Sequence, residues 1–280
     1  ISKRVVIQGY KGAFHDMAAQ MYYEQEKVTI VPADTFEDLV EVTELGAAAD
    51  VGLMAIENTV AGSLMYNYDL LRKSDLVIVG EVYLRIKQNL MVLPGRKIED
   101  IKEVRSHYMA LRQCNEYLRN HPHLRLIESK DTALTAREIR EQGMENVGAI
   151  ASTLAAELYG LEIIGDGIET NKKNFTRFLV LQRASENPVI DTVNKVSMCF
   201  AIDHEVGSLY KVLAVLSAYN VNLTKIQSTP IIGKPWEYRF FIDFAVEGKV
   251  GYQQAMDAIR PITNDLKIMG AYQKGKHYEY

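Results

Sequence analysis

Short apolar runs recur along the first two thirds of the chain, and most are followed by a polar cluster and then by apolar residues at helical spacing. Val5–Ile7, for example, precedes Gly9–Gly12, and Met17 and Met21 then lie on one face of a helix. Short apolar runs bounded by turn residues are typical of buried strands. The alternation predicts βα units around a mostly parallel sheet. Further runs of this kind are Val28–Val31, Val51–Ile56, Leu124–Ile127 and Val147–Ile150.

One departure from this alternation indicates a second lobe. Val77–Val82 and Leu90–Leu93 have no long helical pattern between them, so we expect the chain to cross there from one lobe to another. Ligands of open α/β sheets bind beyond the carboxyl ends of the strands, and clefts between lobes are common binding sites. The polar clusters at the strand ends are therefore expected to line one crevice. They are Gly9–Gly12, Glu57–Asn58, Ser106–His107, Ser129–Thr132 and Ser152.

The same residue types also serve as helix caps. Ser, Thr, Asp and Asn are preferred at N-cap positions, and capping is the favoured interpretation of Thr132 and Ser152. Glu57 stands at a strand end, where a glutamate has no capping role, so Glu57 and Asn58 are better candidates for chemistry. The glycines Gly9 and Gly12 can bring backbone N–H groups to an anion, although glycine serves any tight turn equally well.

The stretch Asn174–Leu181 is the strongest candidate for a site. It places Thr176 and Arg177 side by side at the start of the apolar run Phe178–Leu181. A threonine hydroxyl both donates and accepts hydrogen bonds, and arginine binds carboxylates through two parallel hydrogen bonds. The pair indicates a site for an anion that also receives a hydrogen bond or a proton. The alternative is a strand that begins with a β-branched residue and a surface arginine.

The pattern changes beyond Pro188, where a polar stretch reads as a linker. Val196, Met198, Phe200 and Ile202 alternate with smaller or polar residues, as in a half-buried strand. Helical, strand, strand, helical and strand patterns follow in that order. This βαββαβ arrangement predicts a ferredoxin-like α+β domain, and about 85 residues are enough for a separate domain.

Composition narrows the classes of function. The chain has 280 residues and a formal net charge of -4, which gives no indication of nucleic-acid binding. No apolar run approaches the roughly 20 residues that a membrane span needs, and no basic-then-apolar leader opens the chain. The six histidines show no ligand spacing and Cys114 and Cys199 stand alone, so we expect no metal and a reducing, cytoplasmic location.

Four motifs in this order resemble those of the prephenate dehydratase family. They are Gly9-Tyr10-Lys11-Gly12-Ala13-Phe14, Ile56-Glu57-Asn58-Thr59-Val60-Ala61-Gly62, Ser106-His107 with Ala110-Leu111 and Gln113-Cys114, and Thr176-Arg177-Phe178. The second part of the chain resembles an ACT regulatory domain. No helical chorismate mutase segment precedes Val5, so the monofunctional form of the family is expected.

The resemblance implies an architecture and a reaction. We expect a two-lobed catalytic domain like that of periplasmic binding proteins at residues 1–185, with a central cleft. Its lobes are expected at about 1–83 with 167–185 and at about 84–166, and the ACT domain at 194–280. The family converts prephenate to phenylpyruvate, carbon dioxide and water, for which no cofactor or metal is expected.

The resemblance also implies roles for individual residues. Thr176 is expected to assist departure of the ring hydroxyl, with Glu57 or His107 relaying the proton. Arg177, Lys11 and backbone N–H groups near Gly12 are expected to hold the substrate carboxylates. The catalytic set is Thr176, Arg177, Glu57, Asn58, Ser106, His107 and Gln113, and the binding set is Lys11, Gly12, Ala13, Phe14 and Phe178.

The ACT resemblance implies a second site for phenylalanine where two such domains pair, and hence a homodimer or homotetramer. Its expected residues are Gly207, Ser208, Leu209, Asn222, Leu223, Gln227 and Ser228. An ordinary helix N-terminus at Gly207 is the alternative. The family's Glu-Ser-Arg-Pro is Gln227-Ser228-Thr229-Pro230 here, which puts the strength and identity of the feedback in question.

Other departures from the family pattern lie near the expected cleft. Tyr10, Ala13 and His15 stand where the family usually has Pro, Thr or Ser, and Ser, and Tyr108-Met109 replaces Pro-Gln. These residues are expected to reshape one wall of the crevice. Two other functions fit the same patterns, an arogenate dehydratase and a two-lobed binding protein without catalysis.

Overall fold

The computed structural model describes residues 2–246 and 251–279. Strands and helices alternate through most of the chain. In order they are β1 (Lys3–Gln8), α1 (Phe14–Tyr22), β2 (Val28–Ala33), α2 (Phe36–Leu45), β3 (Val51–Asn58), β4 (Gly62–Ser63), α3 (Met65–Lys73), β5 (Leu76–Arg85), β6 (Asn89–Val92), β7 (Glu103–Ser106), α4 (Tyr108–Gln113), α5 (Asn115–Arg119), β8 (Arg125–Glu128), α6 (Thr132–Gln142), β9 (Val147–Ala151), α7 (Thr153–Tyr159), β10 (Glu162–Gly165), β11 (Phe175–Arg183), β12 (Lys195–Ala201), α8 (Ser208–Ala218), β13 (Asn222–Pro230), β14 (Tyr238–Ala245), α9 (Tyr252–Ile259), β15 (Asn264–Tyr272) and β16 (His277–Tyr278).

The described residues form two compact units. The first contains the residues up to Leu64, Val82–Phe178 and those from Lys276, and the second contains the described residues of Met65–Glu81 and Leu179–Gly275. The domain boundaries expected from the sequence stay a prediction. None of the helices described in either unit is long and apolar enough to cross a membrane.

The first unit has two lobes, each built on its own sheet. Lobe A contains strands in the order β3-β1-β2, with β1 parallel to both of its neighbours and α1 and α2 packed on them. The end of β5 and the start of β11 also belong to this unit. Lobe B contains the order β10-β6-β9-β7-β8, with α4 and α6 packed on it. The mixed α/β class and the two lobes expected from the sequence are therefore confirmed.

Local chemistry explains why these segments fold as they do. Val5, Val6 and Ile7 of β1 are fully buried, as the apolar run predicts. Helix α2 begins with a reciprocal capping box between Thr35 and Asp38, which satisfies two of the free N–H groups at a helix start. Helix α6 begins with the Asp131 carboxylate accepting from the Leu134 N–H at 2.8 Å.

Two chain segments cross side by side between the lobes. The Ile168 N–H donates to the Gln88 carbonyl at 2.7 Å, and the Ile86 N–H donates to the Asn174 carbonyl at 2.7 Å. These backbone hydrogen bonds tie the crossing after β5 to the returning segment before β11. The residues around them are therefore held firmly where the two lobes meet.

One rim of the cleft is closed by contacts between the lobes. The Ser152 hydroxyl donates to the Gly12 carbonyl at 2.5 Å, and the Tyr159 hydroxyl donates to the Lys11 carbonyl at 2.7 Å. Gly12 has φ +94, and a Cβ there would lie 3.2 Å from the Ala155 Cα. A glycine is required at this position both for its backbone angle and for the close approach of lobe B.

The second unit has the βαββαβ order expected from the sequence. Its strands lie in the order β13-β14-β12-β15, all antiparallel, with β5 beside β15 through Ile78. Residues of α8 and α9 pack on one face of this sheet in a buried cluster. Its members are Val196, Met198, Phe200, Val212, Leu216, Ile242, Phe244, Ala255, Met256 and Ile259.

Ser152→Ala tests the closed rim, because Ser152 both caps α7 and satisfies a buried carbonyl. Loss of a cap costs about 1 kcal/mol, and an unsatisfied buried carbonyl costs about 1–3 kcal/mol more. We expect the free energy of unfolding, measured in urea, to fall by roughly 2–4 kcal/mol. Thr35→Ala removes an exposed cap and serves as the control, with a loss of about 1 kcal/mol. Equal losses in the two variants would contradict the role given to the Gly12 carbonyl.

Candidate active site

A cavity of about 510 Å³ lies between the two lobes of the first unit. Its volume is within the range of small-molecule sites, and its walls are mostly apolar with a few polar groups. The lining residues are Gln8, Ala13, Phe14, His15, Phe36, Ala55, Asn58, Ala61, Leu64, Ile86, Gln88, His107, Met109, Ala110, Gln113, Lys130, Asp131, Thr132, Thr176 and Phe178.

Three helices begin at this cavity. The first residues of α1, α4 and α6 contribute Phe14, Met109 and Thr132 to its lining. The N-terminus of a helix carries a partial positive charge and N–H groups that point outward. The partial positive charge of these ends favours an anion in the cavity, while N–H groups at the three ends are bonded to Asp16, His107 and Asp131.

Asn58 is the most heavily bonded side chain in the cavity wall. Its Oδ1 accepts from the Val60 and Ala61 N–H groups at 2.9 and 2.8 Å. Its Nδ2 donates to Asn174 Oδ1 at 2.7 Å, to Thr176 Oγ1 at 2.9 Å and to the Phe175 carbonyl at 3.1 Å. The carboxamide therefore fixes the turn after β3 against the start of β11.

This arrangement sets the direction of the Thr176 hydroxyl. An amide Nδ2 can only donate, so Thr176 Oγ1 accepts from Asn58, and its own proton is left to donate elsewhere. Thr176 is 8% exposed and lines the cavity, as does Phe178. The hydroxyl is thus a positioned donor at the cavity wall.

Arg177, which the resemblance implies holds a substrate carboxylate, is not among the residues that line the cavity. Successive side chains of a strand point to opposite faces, so Arg177 lies on the face away from Thr176 and Phe178. Its side chain is 2% exposed, and its Nη1 lies 3.3 Å from Glu57 Oε1. Glu57 is likewise outside the lining, so the structure pairs the buried Arg177 with a partly exposed glutamate.

The turn before α1 also differs from the expectation. The Gly12 N–H donates to Asp16 Oδ2 at 2.8 Å and the Ala13 N–H to the Tyr10 carbonyl at 3.0 Å, so neither is directed at a ligand. Lys11 is exposed and, like Gly12, lies outside the cavity lining. Ala13 and Phe14 do line it, as expected.

Ser106 and Gln113 have different positions although one motif carries both. Ser106 is fully buried, and its hydroxyl donates to the Ile150 carbonyl at 2.6 Å, which joins β7 to β9. It is outside the lining, so a direct contact with substrate is not supported. Gln113 and His107 do line the cavity. His107 Nδ1 accepts from the Met109 N–H at 3.2 Å, which leaves Nε2 to carry the proton of the neutral ring.

Sequence patterns placed His15, Lys130 and Asp131 near the crevice but gave them no part in the chemistry. His15 packs edge-on against Phe178 with ring centroids 4.9 Å apart, and its Nε2 accepts from the Ala55 N–H at 3.3 Å. Burial lowers the pKa of His15 to about 3. Burial also raises the pKa of the Asp131 carboxyl. Lys130 contributes a cation, and its Nζ lies 2.9 Å from Asp34 Oδ1.

The expected effector residues lie in two places in the second unit. Gly207, Ser208 and Leu209 line a cavity of about 220 Å³ together with Trp236 and Tyr238. The other expected residues all lie on β13 and do not line this cavity. They are Asn222, Leu223, Gln227 and Ser228.

A family model described as "Prephenate dehydratase" matches residues 5–186. The chain is 37% identical over 284 residues to a curated protein of Arabidopsis thaliana named arogenate dehydratase/prephenate dehydratase 1, chloroplastic. That alignment covers 96% of this chain and 71% of the relative. Among the residues described, no three or more His, Cys, Asp or Glu are grouped so that they could hold a metal ion.

Solved structures agree in fold. One described as GqqA, a novel type of quorum quenching acylase, has a TM-score of 0.85 at 28% identity and is matched over 97% of this chain and 98% of its own. A prephenate dehydratase of Arthrobacter aurescens in complex with L-Phe has a TM-score of 0.82 at 24% identity, over 96% and 89% of the two chains. The second likeness shows the shared fold alone.

The lowered pKa of His15 predicts a pH effect on stability. The pKa rises from about 3 in the folded chain to 6.5 on unfolding, so the unfolded state takes up a proton between these values and the folded state does not. Stability is therefore expected to fall as pH drops from 6.5 toward 3, by up to about 1.4 kcal/mol per pH unit from this group. His15→Gln should flatten that part of the urea-unfolding profile. Superimposable wild-type and variant profiles, after a constant offset, would contradict the assignment.

Proposed function

The chain belongs to the prephenate dehydratase family, and from that premise we propose that it converts prephenate to phenylpyruvate. The reaction cleaves the ring C–O bond and the bond to the ring carboxylate, which leaves as carbon dioxide. The electron pair of the second bond completes the aromatic ring, and the departing hydroxide takes a proton and leaves as water. Because aromatisation provides the driving force, the protein must mainly bind a dianion and assist the leaving hydroxyl.

The observation that carries the proposal is the donor geometry of Thr176. Asn58 donates to Thr176 Oγ1 at 2.9 Å, so the threonine proton is free to point at a ligand oxygen in the cavity. A hydrogen bond to the departing ring hydroxyl stabilises the charge that develops there. A threonine hydroxyl is a weak acid on its own, and His107, whose ring lines the same cavity, is the proposed proton relay.

The negative charge of the substrate is proposed to lie at the helix N-termini. The first turns of α1, α4 and α6 reach the cavity, and Lys130 adds a full positive charge to its wall. Each helix end stabilises a nearby anion by about 0.3–1 kcal/mol at exposed sites and more when it is partly buried. Gln113 adds an amide at the same wall. We give Arg177 a supporting role, because it binds Glu57 on the reverse face of β11.

Thr176→Val tests the central role, because it removes the hydroxyl and keeps the side-chain shape. We expect kcat for prephenate to fall by roughly a hundred- to ten-thousand-fold, the usual size of a lost acid contribution. Thr176→Ser keeps a hydroxyl and should retain a substantial part of the activity. The assay follows phenylpyruvate by its absorbance in base.

Thr29→Val is the matched control, since Thr29 lies on the exposed side of β2 away from the cavity. Its kcat should equal that of the wild type. A folded Thr176→Val protein with near-wild-type kcat would refute the assignment. No turnover by the wild type would instead favour a two-lobed binding protein without catalysis.

Arogenate is the second candidate substrate, because the Arabidopsis thaliana relative is named as both an arogenate dehydratase and a prephenate dehydratase. Arogenate differs from prephenate in one amino group, and its product is phenylalanine. Measuring kcat/KM for both compounds with the same preparation decides between them. A higher value for arogenate would replace prephenate as the substrate.

The second unit is proposed to be an ACT regulatory domain that binds phenylalanine. Support comes from its βαββαβ order and from the structural neighbour that was solved with L-Phe. Gly207, with φ +81, lets the chain turn into α8 beside the cavity that Trp236 also lines. Residues of β13 are proposed to reach the effector from a second copy, which requires a homodimer or homotetramer. A cytoplasmic location also stays a prediction, since the plant relative is named chloroplastic.

Trp236 is the only tryptophan of the sequence, so its fluorescence reports on this cavity. We expect saturable quenching or enhancement on addition of phenylalanine, together with a lowered rate of phenylpyruvate formation. Gly207→Val places a β-branched side chain at a left-handed position and should weaken the response at least tenfold, while basal kcat is unchanged. Unchanged fluorescence and kinetics, with no heat on isothermal titration, would exclude phenylalanine as the effector.

A further inference from the structure

Gln88 has an unsatisfied acceptor at the cavity wall. Its side chain is 3% exposed, and it lines the cavity between the lobes. Nε2 donates to Gln113 Oε1 at 3.3 Å. Among the described residues, Oε1 is buried without a hydrogen-bond partner. A buried acceptor of this kind destabilises the free protein, which indicates that a ligand supplies the missing donor.

The position of Gln88 is fixed by the crossing between the lobes. Its N–H donates to Glu169 Oε2 at 3.0 Å, and its carbonyl accepts from the Ile168 N–H at 2.7 Å. Arg85 Nη2 binds the other oxygen of Glu169 at 3.1 Å. A backbone held on both sides presents the carboxamide in one place, as binding residues require.

We propose that Gln88 is a substrate-binding residue whose Oε1 accepts a hydrogen bond donated by the substrate. This inference rests on the proposed dehydratase function. The carboxylates and the keto group of prephenate are acceptors, so the donor is an O–H or N–H group. Prephenate offers the ring hydroxyl, and arogenate offers the ring hydroxyl and an amino group. Gln88 therefore selects ligands that carry a donor at this position, and Gln113 keeps its carboxamide in register.

Gln88→Met tests the proposal, because methionine has a similar length and no acceptor oxygen. One arm measures the ratio of the affinity for 4-hydroxyphenylpyruvate to the affinity for phenylpyruvate, two compounds that differ only in the ring hydroxyl. The other arm measures the ratio of kcat/KM for arogenate to that for prephenate. We expect the variant to lower one of these two ratios about tenfold, and the ratio that falls identifies the donor as the hydroxyl or the amino group. Its thermal midpoint should be no lower than that of the wild type.

Thr29→Val, on the exposed side of β2 and outside the cavity lining, is the matched control. Both ratios should stay near the wild-type values in this variant. Equal effects of the two variants, or unchanged ratios in Gln88→Met, would overturn the proposal. Gln88→Leu provides the same comparison if Gln88→Met does not fold. The binding arm needs no turnover, so a protein without dehydratase activity still gives an answer about Gln88.

Discussion

The Asn58 carboxamide is the interaction on which the site depends. Its oxygen accepts two backbone N–H groups of the turn after β3, and its nitrogen donates to the start of β11. The side chain can bond in only one orientation, since the oxygen cannot donate and the nitrogen cannot accept. Thr176 consequently receives a hydrogen bond at Oγ1 and keeps its proton for a ligand. The donor and acceptor atoms of Asn58 thus fix the direction in which the Thr176 hydroxyl can donate.

The surroundings of Thr176 contain both positive and negative groups that act on a bound dianion. A dianion entering a cavity loses hydration, and the three helix N-termini with Lys130 are positioned to offset that loss. Asp131 opposes this charge, but its carboxylate caps α6, and burial raises its pKa. The Arg177–Glu57 pair lies behind the strand, where it neutralises itself rather than the substrate. Mostly apolar walls then leave the few polar groups to orient the ligand.

Much of the architecture could be predicted from residue patterns. The apolar run Val5–Ile7 and the fully buried stretch of β3 matched their strands, and alternation beyond Pro188 gave the βαββαβ order. Helix α3 was missed, because the adjacent buried residues Asn67 and Tyr68 blur its apolar stripe. The segment after His107 forms two short helices that meet at Cys114.

The site was predicted in location more than in detail. Thr176, Asn58, His107 and Gln113 meet in one cavity, as strand ends of two lobes should. Thr176 and Arg177 are adjacent in sequence and were expected to form one site. Successive side chains of a strand point to opposite faces, so the two residues lie on different sides of β11. No local signal marks Gln88, whose role depends on contacts with residues 25 and 81 positions away.

The most direct measurement of the central claim is a double-mutant cycle on kcat for prephenate with Asn58→Asp and Thr176→Val. An aspartate at position 58 keeps the acceptor oxygen but loses the donor, so the Thr176 proton turns toward it and away from the substrate. The account predicts that Asn58→Asp lowers kcat about a hundredfold or more, and that adding Thr176→Val causes little further loss. Near-wild-type kcat in Asn58→Asp, or losses that multiply in the double variant, would contradict it.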